Sequence, residues 1–349
     1  MSSRQAFCVS IASAVALLMP SGVVSAQAPS PMLLVAIGHE KAVAVVDPRS
    51  GKVVTRAPTD DDSHSVAGST DGKFAYTANM FPSTISVVDL ATGKEVRRVN
   101  TGPGSRPHEV IYRGGKVYFT AGGYKAVGRY DPVTNQIDWL VGTGQDGTNI
   151  LVVTKNGDKI FVSNRESNTV TVVDDVLAAP KWRVTNLQVG GSPEGLDISP
   201  DDKEVWAAKR FGGGISIIDV ATKKFTQLDV PFGKPVGEGS AATRLSFTPD
   251  GKRVVLLHRP TQEAVIFDAA SRKEIKRVQV PGSSVLIAPD SSKAYVSVEA
   301  SPEVGDGYIA VIDLNKLELT GKLVVPPGAP RAVLFWASTA PCLMSTSPV

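Results

Sequence analysis

An apolar pair followed by aspartate recurs seven times at nearly even spacing, and this constrains the fold more than any other feature of the chain. The instances are Val45-Val46-Asp47, Val87-Val88-Asp89, Arg129-Tyr130-Asp131 (the one substituted member), Val172-Val173-Asp174, Ile217-Ile218-Asp219, Ile266-Phe267-Asp268 and Val311-Ile312-Asp313. The aspartates are separated by 42, 42, 43, 45, 49 and 45 residues. A period in the forties, built from β-branched runs and turn residues, is that of a four-stranded propeller blade. An aspartate at the end of such a run accepts hydrogen bonds from the amides of the turn that follows, so these seven are expected to be structural.

A second turn series lies between the aspartates: Thr70-Asp71-Gly72, Arg113-Gly114-Gly115, Lys155-Asn156-Gly157, Pro200-Asp201-Asp202, Pro249-Asp250-Gly251 and Pro289-Asp290-Ser291. These supply the positive-φ positions that tight hairpins need. Each repeat therefore reads as strands a, b, c and d, with a and b joined by this turn and c and d by the aspartate turn. In the second repeat the strands are expected near 64–69, 73–78, 83–89 and 95–99. Residues 33–57 supply b, c and d of a first blade with no strand a before them, while Arg331 to Trp336 supplies an unmatched strand a at the far end. Pairing the two closes a seven-bladed, all-β ring and removes its exposed edges.

The termini stand outside this pattern. Arg4, the apolar run from Ala6 to Met19 and Val24-Ser25-Ala26 read as a signal peptide, residues 1–26, cleaved after Ala26. A short linker, 27–32, leads to a propeller over 33–338, and 339–349 reads as a loose tail. The apolar run, about 14 residues, is short for a membrane span, and no later stretch is long enough, so no span is expected. A periplasmic or secreted protein follows. Cleavage would remove Cys8 and leave Cys342 as the sole cysteine, so no internal disulfide is available and packing must supply stability.

Tyr76-Thr77-Ala78-Asn79 and Phe161-Val162-Ser163-Asn164, each followed by a Thr-(Ile/Val)-x-Val-Val-Asp strand, together with the Pro-Asp-Gly-like turns, resemble the YVTN repeat. Over nearly all of 33–338 the chain is similar to the YncE-like exported seven-bladed propellers. That resemblance implies more distant kinship with family-10 lactonases and the haem d1 domains of nitrite reductases. It speaks to fold, because its motifs are strand and turn residues.

Both uniform turn series lie on one face of the disc, and the irregular b–c and d–a connections lie on the other, around the mouth of the central channel. Irregular loops on a rigid scaffold are where binding resides. Aligning the repeats, the first residue of strand a reads Arg331, His64, His108, Asn149, Glu194, Thr243 and Ser283 around the ring; the b–c loops add His39, Asn79, Tyr124, Arg165, Lys209, Arg210, His258, Arg259 and Glu299. All four histidines therefore map to one face.

Three functions are consistent with this set. The leading one is an exported propeller that binds a small anionic ligand, or another exported protein, at its mouth through Arg165, Arg210, Arg259, Arg331 and Asn149, since guanidinium suits carboxylate and phosphate. The second is a lactonase or cycloisomerase in which His64 and His108 shuttle protons, Glu194 serves as a further acid or base, and Arg259 or Arg331 holds a carboxylate or enolate. The third is a metal- or haem-binding propeller with His39, His64 and His108 as candidate ligands of a transition metal, Glu194 being an alternative to His39. No cofactor is required by the sequence. Nucleic acid is disfavoured by a net charge of only +3 and 6% aromatic residues. Gly142-Thr143-Gly144-Gln145-Asp146-Gly147 matches G-x-G-x-x-G but joins two strands, leaving no helix N-terminus for a pyrophosphate. His39-Glu40 and His108-Glu109 open like a zinc-protease motif without its second histidine.

Overall fold

The protein is described here by a computed structural model covering residues 31–232, 242–300, 304 and 306–325, with 242–243 as backbone alone and the backbone of 332–336. The proposed signal peptide, Arg331, Cys8, Cys342 and the C-terminal tail lie outside the described residues. Seven antiparallel sheets of four strands each form the fold. Strand a of blade 1 is Ala332–Trp336, and blades 2 to 7 begin with Ser63–Gly68, Pro107–Arg113, Thr148–Val153, Pro193–Ile198, Ala242–Phe247 and Ser284–Ile287. In blade 2 the remaining strands are Phe74–Asn79, Thr84–Asp89 and Lys94–Asn100, within a residue or two of the positions expected from the turn signals.

The ring closes as the unmatched strands require. Ala332–Trp336 pairs antiparallel with Met32–Ile37, in the register Met32 to Trp336 and Ala36 to Ala332. Strands b and c are covered on both faces, which explains their continuous runs of β-branched residues. The core is accordingly a set of apolar layers, each sandwiched between adjacent blades. Tyr76 and Ile85 of blade 2 meet Val117, Phe119 and Tyr130 of blade 3, and Leu33, Val35 and Val46 of blade 1 meet Tyr295, Ile309 and Val311 of blade 7. The d strands are largely exposed on the rim, as in Lys94–Asn100.

The turn face is satisfied locally. Asp89 Oδ1 accepts from the amide and hydroxyl of Thr92 at 2.8 and 3.0 Å, and Asp47, Asp131, Asp219, Asp268 and Asp313 each accept from a backbone N–H two or three residues on. Asp174 instead takes the ammonium groups of Lys159 and Lys223. The a–b turns repeat the device: Asp71 accepts from Ser69 Oγ and the Lys73 amide, with Gly72 at φ 69°. Among the described residues no helix is long and apolar enough to cross a membrane.

Candidate functional site

The side chains at the mouth owe their positions to a recurring irregularity. In blades 2 to 6 the a–b ladder skips at its mouth end: Ser63 and Ser65 pair while His64 does not, and the same break falls over His108-Glu109, Asn149-Ile150, Glu194-Gly195 and Thr243. A β-bulge of this kind re-aims side chains that a regular pleat would send into the neighbouring blade. Beside these breaks His64, His108, Ile150, Glu194 and Arg244 come to line the channel mouth. Gly195 sharpens the effect, because a Cβ there would lie 2.8 Å from the Arg244 Cα. Only glycine lets blade 5 approach blade 6 this closely.

A cavity of about 300 Å³ opens at the mouth, lined by His64, His108, Arg165, Glu194, Arg244, Arg259 and Glu299, with Ile150 and Ser283 completing the wall. His64 and His108, from adjacent blades, have ring centres 3.9 Å apart with planes tilted by 42°. Glu194 is held between two guanidinium groups, Arg165 Nη1 on one oxygen at 3.3 Å and Arg210 Nε on the other at 3.3 Å. Arg259 reaches Glu299 at 3.2 Å. On the cavity floor, Arg244 Nη2 donates to Glu109 Oε2 at 2.8 Å. The pocket is therefore strongly charged and internally paired, with three lining guanidinium groups facing two lining carboxylates.

Several candidates from the sequence stand elsewhere. His39 is exposed on a short 3-10 turn, Gly38–Glu40, and among the described residues no three His, Cys, Asp or Glu side chains converge as a metal site; the set His39, His64, His108 is not assembled. Asn149 is buried, its carbonyl accepting from Thr120 Oγ1, and it does not line the cavity. Asn79 is a structural hub, accepting from Ser63 Oγ and donating to Thr84 and Ser86; Asn164 repeats the network in blade 4. His258 is buried, stacked on Phe232 with ring centres 3.5 Å apart, and hydrogen-bonded through Nδ1 to Thr261. Burial pulls its imidazole down to about 4, so it is neutral at physiological pH. Arg210 supports Glu194 from behind the lining. Arg331 lies outside the described residues.

Arg244 and the floor position of Glu109 are absent from the sequence-based set. Ring alignment picked Thr243 as the equivalent of His64, one residue short of Arg244. No sequence signal distinguishes them, because a repeat alignment does not show the bulges that decide which of two neighbours faces the channel. A larger hollow of about 480 Å³ lies on the turn face between blades 5 and 6. Its acidic groups are paired in place, Asp201 with Lys203 and Glu204 with Arg272, and the Trp206 indole N–H also donates to Glu204.

No protein-family model and no curated protein matches the sequence. Among solved structures, a functionally unknown protein from Desulfotomaculum acetoxidans superposes with a TM-score of 0.71 at 13% identity, over 88% of this chain and 100% of that one. A candidate 6-phosphogluconolactonase from Bacteroides fragilis gives 0.69 at 15% identity, over 91% of this chain and 99% of that one. Hydrazine synthase from Kuenenia stuttgartiensis gives 0.67 at 17% identity, over 85% of this chain and 99% of that one. Likeness at this level of identity establishes the class, a seven-bladed β-propeller, and nothing finer.

Proposed function

We propose that the chain is an exported, YVTN-type propeller that binds a small carboxylate- or phosphate-bearing ligand in the mouth cavity. The observation that carries this reading is the excess of guanidinium groups at the mouth: Arg165, Arg210, Arg244 and Arg259 stand against Glu109, Glu194 and Glu299. Guanidinium groups with planar donor forks suit both anion classes. Calorimetric titration of residues 27–349 with inorganic phosphate, succinate and 6-phosphogluconate tests it. Arg165→Ala and Arg259→Ala are each expected to weaken binding at least about tenfold, equivalent to roughly 1.4 kcal/mol. A protein that binds none of the three anions overturns the reading.

A lactonase or related hydrolase is the second reading, favoured by the imidazole pair sharing the cavity with Glu194 and the arginines. In such chemistry an imidazole takes the proton from water as it attacks the lactone carbonyl, and a guanidinium holds the developing oxyanion. Candidate 6-phosphogluconolactonases among the fold neighbours favour lactones as the first screen. Hydrolysis that survives His64→Ala/His108→Ala removes the histidines from the mechanism, and a full lactone screen without turnover removes the reading.

A further inference from the structure

Below the mouth cavity the central channel continues as a second cavity of about 370 Å³. Arg244 and Ile150 line both; Glu109 and Ser65 line only the lower one. Between them Arg244 is tied to Glu109 at 2.8 Å, and Ser65 Oγ donates to the other Glu109 oxygen at 2.8 Å. The tie crosses the channel from blade 3 to blade 6, joining residues 135 positions apart, and blade 2 braces it. Its partners are 18% and 14% exposed. It lies in the channel and not in an interblade layer, and Val66, Val110, Leu151, Leu196 and Leu245 pack their layers without it.

We infer that the Glu109–Arg244 ion pair is the length-determining floor of the anion pocket, restricting it to short carboxylates and phosphates; this rests on the anion-binding reading above. At about 300 Å³ the mouth cavity is at the small end of ligand sites. Opening the floor roughly doubles the space and exposes a ligand to lower walls that include the edges of Val110, Leu151 and Leu196. A polymethylene chain, rejected by the charged floor because it would desolvate the pair, is accommodated there once the pair is gone.

The test is calorimetric titration with straight-chain α,ω-dicarboxylates from succinate to sebacate. The wild type is expected to bind succinate at least tenfold more tightly than sebacate. Glu109→Ala is expected to reduce that preference to less than threefold. Glu109→Gln, which keeps the side chain's length and an acceptor for Arg244, is expected to retain it. Glu109→Ser gives the same comparison should the alanine variant not fold. A purely structural role would lower Tm and leave the length preference intact, so an unchanged ratio in Glu109→Ala or Glu109→Ser overturns the floor. A wild type that binds every length equally also overturns the floor and leaves the anion reading standing. A wild type that binds no dicarboxylate overturns the floor, and it removes the anion reading as well only when inorganic phosphate and 6-phosphogluconate also fail to bind.

Discussion

The two faces of the disc use the same charged residues in opposite ways. On the turn face, most of the repeat aspartates are satisfied two or three residues away, as Asp89 is by Thr92 and Asp71 by Lys73. The exceptions among the carboxylates there are Asp174 and Glu204, held by Lys223 and Arg272 of the next blade. At the mouth, partners come from other blades: Arg165 with Glu194, Arg259 with Glu299, and Arg244 with Glu109 across the channel. Local pairing can be repeated blade after blade, because each hairpin completes its own hydrogen bonds. Long-range pairing depends on the closed ring, and it gathers unlike residues into one pocket. The contrast separates what a repeat does for folding from what seven dissimilar copies can do together.

The largest expected effect breaks the closure on which the mouth depends. Deleting 329–349 removes the strand that pairs with Met32–Ile37 and uncovers one edge of Leu33, Leu34 and Val35, all fully buried in the closed ring. Each large apolar side chain is worth roughly 1.5–3 kcal/mol when buried, a total comparable with the 5–15 kcal/mol stability of a typical domain. Loss of cooperative unfolding or aggregation is expected in thermal melts. Deleting only 340–349, which fits no strand in the repeat pattern, is expected to leave a near-normal melt. Equal behaviour of the two truncations would show that stability does not depend on this closure.

Next in size is a pair of titrations, one toward each face of the disc and opposite in sign. His258, at the mouth end of strand b, is held down to about 4 by burial, below its ordinary 6.5. Its unfolded form gains a proton that the folded form refuses, so its stability contribution is complete above pH 6.5 and is lost as pH falls toward 4. Asp197, near the turn end of strand a, is pushed up by burial to about 6, even though the Phe247 and Ile198 amides and Ser246 Oγ all donate to it. Its contribution is complete below about pH 3.8 and is lost as pH rises through 6. Each is worth on the order of 1–3 kcal/mol. Because the two windows overlap between about pH 4 and 6 with opposite signs, they largely cancel in the wild type; in denaturant melts His258→Gln is expected to leave stability falling as pH rises through that range, and Asp197→Asn to leave it rising. A pH profile unchanged in both variants would place the titration elsewhere.

Glu194→Ala sharpens the contrast at the mouth itself. It leaves Arg165 and Arg210 facing each other without their shared carboxylate, at an expected stability loss of about 1 kcal/mol for such partly exposed pairs. Under the anion-binding reading, the released guanidinium groups raise affinity for phosphate severalfold. Under the hydrolase reading, the same variant loses turnover. One protein preparation therefore distinguishes the two.

The fold could be read from the sequence because its information is local. Val87-Val88-Asp89 and Thr70-Asp71-Gly72 specify a strand end and a hairpin wherever they occur, and their period counts the blades. The mouth was partly readable for the same reason: aligned repeats placed His64 beside His108 and Glu194 within reach of Arg165 and Arg210. Arg244 and the floor role of Glu109 were missed because the bulges shift which residue faces the channel, and a repeat alignment assumes a constant pleat. Asn149 and Asn79 erred in the other direction. Aligned repeats put both at the mouth, yet Asn149 is buried off the cavity and Asn79 is spent on Ser63, Thr84 and Ser86 within its own blade.

The smallest effect belongs to the turn face and completes the comparison. Asp89→Ala removes the acceptor for the Thr92 amide and hydroxyl while leaving both groups exposed to water. Because solvent replaces the lost partner, the expected loss is about 0.5–1.5 kcal/mol. The same substitution at Asp219 or Asp268, whose turns are built alike, is expected to cost a similar amount. These sites lie in different blades and share no partner, so the losses are expected to add in the triple variant. Anion affinity at the mouth is expected to stay within twofold throughout. A triple variant that melts much lower than the summed single losses would show that the turns cooperate around the ring, and the division between self-contained hairpins and a ring-dependent mouth would then be wrong.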